Sequence, residues 1–189
     1  MNKKLVLMVT IFLCLNSFLY RCDAMPTASP ATETPTEEPD FIEVKDITYD
    51  SEDDVDLKLD LAYPTEGTGP YPAIIFIFGG GWSSGGRDAF GEHIQWAAEK
   101  DYVVVAIDYR LLNRMSAGEF LYPFPAQIQD PKCAVQWLRA NAEEYKIDQD
   151  RIGAAGYGSG SHLALLLALT DESDGLEGDC DFPGYSSRI

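Results

Sequence analysis

The chain has 189 residues, four cysteines and a net charge of −17. Acidity on this scale repels phosphate backbones and anionic bilayers, which excludes nucleic acid and membrane surfaces as expected partners. Its simplest physical role is solubility, and the length allows one domain once the N-terminal segments are set aside.

Residues 1–24 read as an export signal. Lys3 and Lys4 form a basic start, residues 5–19 are an apolar run, and Cys22-Asp23-Ala24 offers a small-residue cleavage site before Met25. The run is short of the roughly 20 apolar residues that a membrane span needs, so no transmembrane domain is expected in the mature chain. A lipoprotein anchor at Cys22 is the less favoured reading, because Arg21 stands where such sites prefer a small residue. The expected location is therefore exported, either secreted or at the cell surface. Residues 25–40 (MPTASPATETPTEEPD) lack apolar periodicity and are rich in Pro, Thr and Glu. They are expected to be an extended, disordered linker. Residues 41–189 form the predicted folded domain.

Residues 41–49 alternate loosely and predict a first strand. Val55, Leu57, Leu59 and Leu61 alternate with Asp54, Asp56, Lys58 and Asp60. That pattern predicts a half-buried strand antiparallel to the first. Residues 64–72 carry turn residues. Residues 73–78 (AIIFIF) are continuously apolar, as in a buried central strand, and lead into Gly79-Gly80-Gly81-Trp82. Residues 88–100 predict a helix with Phe90, Ile94 and Ala97 or Ala98 on one face. Residues 102–107 (YVVVAI) predict a second buried strand, closed by Asp108-Tyr109-Arg110. After a loop at 111–125, Asp130-Pro131 reads as an N-cap followed by proline at the first helical position. The predicted helix runs from there to about Tyr145.

Residues 152–155 predict a third buried strand. It enters Gly156-Tyr157-Gly158-Ser159-Gly160, then a helix that is apolar on every face (residues 163–169) and is expected to be buried. A strand, a tight glycine turn and a helix make the geometry of a nucleophile elbow, in which G-x-S-x-G lifts a serine above the sheet. Here the nucleophile position holds Gly158, which has no side chain. Strands alternating with helices predict an α/β fold with a mostly parallel sheet and helices on both faces.

No His, Cys or Asp cluster has metal-ligand spacing along the chain. The glycine loops lack a dinucleotide fingerprint or a P-loop lysine. No metal and no cofactor are expected. Cys133 and Cys180 allow either a disulfide or two buried thiols. Trp82, Phe90, Tyr109, Phe120, Tyr122 and Phe124 either line a cleft or pack in the core and loops, with packing the favoured reading.

Six pieces stand in a definite order: Val55-Asp56-Leu57-Lys58-Leu59-Asp60, Gly79-Gly80-Gly81-Trp82, Val103-Val104-Val105 through Asp108-Tyr109-Arg110, Phe124-Pro125-Ala126-Gln127, Trp137-Leu138-Arg139-Ala140-Asn141 and His162-Leu163-Ala164. Together they resemble the α/β-hydrolase esterase and lipase group. The resemblance is nearest to bifunctional feruloyl and acetyl-xylan esterase-like proteins. It implies serine acyl transfer on esters, including those of plant polysaccharide. It also implies an oxyanion hole from Gly80, Gly81 and the Ser159 amide. The family sheet has eight strands, of which residues 41–189 would supply five, a truncated domain. The family's acid and histidine follow later strands.

The departures are Phe78 where the family has His, Ser161 where it has Gly, and Gly158 at the nucleophile. Ser159 is expected to point away from the site, and Ser161 to lie on the helix. His93, His162, Asp108 and Asp130 read as structural. The expected consequence is an esterase-family chain without serine chemistry of its own. The alternatives are a pseudo-esterase that binds carbohydrate or a partner, and a truncated gene product. The strand at 152–155 would then be a sheet edge open to association.

Overall fold

A computed structural model describes residues 40–189. The expected export signal, and the expected linker apart from Asp40, lie outside the described residues. Among those described, no helix is long and apolar enough to cross a membrane.

Five strands form one sheet: β1 (Phe41–Glu52), β2 (Val55–Pro64), β3 (Tyr71–Ile77), β4 (Val103–Ile107) and β5 (Ile147–Gly156), in the order β1-β2-β4-β3-β5. β3, β4 and β5 run parallel, whereas β1 and β2 are antiparallel to each other and β2 is antiparallel to β4. The sheet is therefore mixed, with three of its five strands parallel and the expected antiparallel hairpin at one edge. The tight β1–β2 hairpin, turned through Asp53 and Asp54 at positive φ, forces the antiparallel pairing.

β3 is central, as its apolar run predicts. Ile75 and Ile77 are fully buried, worth about 1.5–3 kcal/mol each. Phe76 points to the opposite face, where it stacks on Phe90 with ring centroids 4.8 Å apart. Phe90 ends a short 3-10 turn that leads into α1 (Gly91–Ala98). From β3 the chain moves to β4 on one side, and from β4 to β5 on the other. Right-handed crossovers, the near-universal hand, then put α1 and the next helix on opposite faces.

That helix, α2, spans Ala126–Ala140. It starts four residues before the predicted cap, Asp130, and stops short of Tyr145. Asp130 is no N-cap: it lies inside α2, wholly buried, with its carboxylate bonded to Arg110. Burial of Ala126, Gln127, Ile128 and Asp130 outweighs the main-chain hydrogen bond lost at Pro131.

α3 (Ser159–Leu169) corrects a second expectation. Leu163 and Leu167 are buried, yet Leu165 and Leu169 are 60% and 77% exposed. β5 pairs only with β3 among the described residues, so α3 sits at the margin of the sheet and has cover on one side. The free side of β5 and α3 forms a shallow groove lined by Ala154, Ala155, Ala164, Leu165 and Ile189. The chain's last residues form no strand; Ser187 is buried against α2 instead.

Candidate functional site: a glycine elbow beside an apolar cavity

The elbow has the backbone expected of it. Gly158 adopts φ 56°, ψ −124° at the head of α3, a conformation that side chains other than glycine enter only with strain. Gly156 and Gly160 are required sterically. A Cβ on Gly160 would stand 2.0 Å from the Ile77 carbonyl oxygen, and one on Gly156 would stand 2.4 Å from the same atom. Only bare main chain lets the elbow pass this close to the end of β3. Gly160→Ala should therefore lower stability by about 1–3 kcal/mol, the usual cost of overpacking. Thermal unfolding of the variant checks this, and an unchanged midpoint would show that the turn can relax.

Gly158 differs from its neighbours. A Cβ there would meet only the Gly79 Cα, at 3.8 Å, an ordinary contact. A side chain would have space at this position, which holds glycine.

The loop after β3 lies against the elbow. A Cβ on Gly79 would be 2.4 Å from the Tyr157 carbonyl oxygen. Gly80, Gly81 and Trp82 all have positive φ (143°, 62° and 61°). For Trp82 this is a strained state, of the kind held where surrounding contacts over-determine it. Two such contacts are visible. The Trp82 amide donates to Ser159 Oγ at 3.3 Å, and its carbonyl accepts from the Leu112 amide at 2.7 Å.

Ser159 therefore turns back toward the glycine loop and ties it to α3, with its side chain buried. This corrects the expectation that its side chain points away. Its own amide lies in the first turn of α3, where main-chain N–H groups have no intrahelical acceptor. Ser161 is on the helix, as expected, and its hydroxyl donates to the Gly156 carbonyl at 2.7 Å.

Phe78 is buried and stacks on Tyr109, with centroids 4.4 Å apart. Tyr109 donates to the Phe78 carbonyl at 3.1 Å. Burial pushes its phenol pKa up, against the opposing hydrogen bond with Ser159. Beneath the loop, Arg87 bonds Asp60 at 2.9 Å and also pairs with Asp46 and Asp108. Burial alone would lower the Arg87 pKa; its carboxylate partners outweigh that and raise it. Asp108 thus ends β4 and anchors the loop through Arg87.

Beside the elbow is a cavity of about 270 Å³, lined by Trp82, Leu112, Phe124, Gln127, His162 and Leu163. Of the six aromatic candidates, Trp82 and Phe124 reach it. Phe90 and Tyr109 are core residues, and Phe120 is exposed. Leu112, Gln127 and His162 were not anticipated as lining. The Trp82 and His162 rings meet edge to face, 5.4 Å between centroids. Gln127 is held by donating to the Arg110 and Tyr122 carbonyls at 3.1 and 2.7 Å. His93 is remote from this cavity, packed edge-on against Phe76 and Phe90.

Cys133 and Cys180 are bonded to each other, with Cα atoms 5.6 Å apart. The bond fastens residues 171–189 to α2. Lys132, wholly buried, adds a hydrogen bond to Glu177 at 2.7 Å and one to Ser187 at 3.3 Å.

A central parallel triplet with an antiparallel hairpin at one edge, and a glycine elbow between strand and helix, define an α/β-hydrolase. Comparison with known proteins agrees. The BD-FAE family model matches residues 59–188, and the chain belongs to that family of α/β-hydrolase esterases. It is 30% identical over 128 residues to the carboxylesterase NlhH of Mycobacterium tuberculosis, covering 67% of this chain and 37% of that protein. It is 32% identical over 140 residues to bovine (Bos taurus) arylacetamide deacetylase, covering 71% of this chain and 32% of the relative. The butyrate-bound esterase Est2 of Thermogutta terrifontis superposes with a TM-score of 0.66 at 30% identity. The match covers 77% of this chain and 50% of that one. The chain thus spans roughly a third to a half of the length of these relatives.

Proposed function

We propose that this chain binds the acyl or aryl portion of an ester in the cavity beside the elbow, and does not itself cleave the ester by serine acyl transfer. The observation that carries the reading is Gly158. It holds the backbone of a nucleophile elbow with nothing to attack a carbonyl. Membership of an esterase family supports an ester as the ligand class. The apolar cavity supports an acyl or aryl group, and the Gly80, Gly81 and Ser159 amides are the proposed cradle for a carbonyl oxygen. Acetyl or feruloyl groups on polysaccharide are the ligands that the resemblance implies.

Turnover of nitrophenyl butyrate by the purified chain tests this. The expected result is no turnover sensitive to a serine-directed phosphonate. Hydrolysis abolished by that reagent, with label found on a serine, would sink the proposal.

Gly158→Ser sharpens the point. The open space admits the side chain, at a strain cost of about 1–3 kcal/mol. Ester hydrolysis should stay at background, because a serine hydroxyl is weak without an adjacent base. Of the chain's two histidines, His93 packs against Phe76 and Phe90 away from the cavity, and His162 meets Trp82 edge to face in the cavity wall. Phosphonate labelling at position 158 with a burst of nitrophenol would show that one of them serves.

A further inference from the structure

We propose that Asp50, Cys133 and Cys180 form a site for a thiophilic divalent cation when the disulfide is reduced. The three residues are far apart in sequence. The fold brings a carboxylate oxygen and the two sulfurs within 4.8 Å of one another. Asp50 lies near the end of β1, Cys133 in α2, and Cys180 in the segment that crosses α2.

Asp50 supplies the second observation. The residue is only 3% exposed, and Oδ2 is buried with no hydrogen-bond partner. A buried carboxylate oxygen without a donor is costly, and a cation beside it would remove that cost. In tetrahedral zinc sites the bond lengths place neighbouring S and O ligands ~3.5–3.8 Å apart, so the two sulfurs, bonded to each other here, must move apart after reduction, with the carboxylate oxygen already within 4.8 Å of both. Two thiolates select zinc or a similar soft ion over calcium or magnesium, which prefer all-oxygen shells. Cys180 is half-buried, which gives the ion a route in.

The chemistry balances as follows. A dithiol or phosphine reductant takes up the oxidising equivalents as the S–S bond breaks, leaving two thiols. Cation binding then releases the two thiol protons to solvent. The S–S bond and the ion are mutually exclusive, and either one clamps residues 171–189 onto α2.

Cobalt(II) titration of the full chain carrying Cys14→Ser and Cys22→Ser tests the site, after phosphine reduction and desalting under argon. One equivalent should give a thiolate-to-cobalt absorption band that the oxidised chain lacks. Asp50→Asn should weaken binding at least about tenfold, the scale already reached by losing an outer-shell partner. Absence of the band, or the same titration curve for Asp50→Asn, overturns the proposal. Unfolded thiols also bind metal. Where reduction unfolds the chain, one equivalent of zinc must restore the near-ultraviolet circular dichroism of the oxidised protein and magnesium must not. Failure of zinc to do so overturns the proposal equally.

Discussion

Asp130→Ala is expected to lower folding stability by about 3–5 kcal/mol, much of what a domain this size possesses. Asp130 is wholly buried in α2, and Arg110, just beyond β4, is 5% exposed. The carboxylate accepts from the Arg110 guanidinium at 2.6 and 2.9 Å and from the Arg110 amide at 2.6 Å. Asp53 in the β1–β2 hairpin takes a further guanidinium bond at 2.6 Å. Burial alone would lower the Arg110 pKa, but the hydrogen bonds and charges of Asp130, Asp53 and Glu52 together outweigh it and hold the guanidinium charged. Removing the carboxylate strands that charge in the interior, with Asp53 and Glu52 at the rim as its remaining ion-pair partners. Urea unfolding measures the loss. The double variant Arg110→Met with Asp130→Leu should recover most of it, because an apolar pair needs no partner. A loss below about 1 kcal/mol for Asp130→Ala would mean that water reaches Arg110 and solvates it.

The same ion pair shows what the sequence could and could not convey. Strands were legible because burial on both faces demands unbroken apolar runs, as in residues 73–78 and 102–107. The elbow was legible because close main-chain approach leaves no alternative to glycine at 156 and 160. The start of α2 was misread because Asp-Pro is a strong local cap signal, whereas the reason for burying Asp130 is Arg110, twenty positions away. Ser159 was misread for a similar reason: its partner is the Trp82 amide, 77 residues earlier. The cavity had the weakest signature. Its lining comes from the loop after β3, the long connection, α2 and α3, and no local pattern marks Leu112 or Gln127 as neighbours of His162. The apolar composition of α3 was correct as chemistry and misleading as burial, because composition does not say how many sides of a helix are covered.

Loss of the Cys133–Cys180 bond is the second large effect, expected at about 4 kcal/mol for Cys133→Ala with Cys180→Ala. The bond joins residues 47 positions apart, and restricting a loop of that length in the unfolded chain accounts for this magnitude. The alternative outcome is local. Residues 171–189 are also held by Lys132 to Glu177 and Ser187, by Gln129 to the Glu177 carbonyl at 3.2 Å, and by Arg139 to the Ser186 carbonyl. Were these contacts independent of the sheet, the variant would release the segment alone and leave the core unfolding midpoint unchanged. The Lys132 ammonium argues against that separation. It is wholly buried in the middle of α2, and its acceptors, Glu177 and Ser187, belong to the segment. Detaching the segment would leave that charge without them, at a cost comparable to the bond itself. The segment and α2 should therefore unfold together, with one transition shifted to lower urea. Hydrogen exchange decides between the two. Amides of α2 and of β3 should lose protection in parallel in the double variant, whereas loss confined to residues 171–189 would show the segment to be a separate unit.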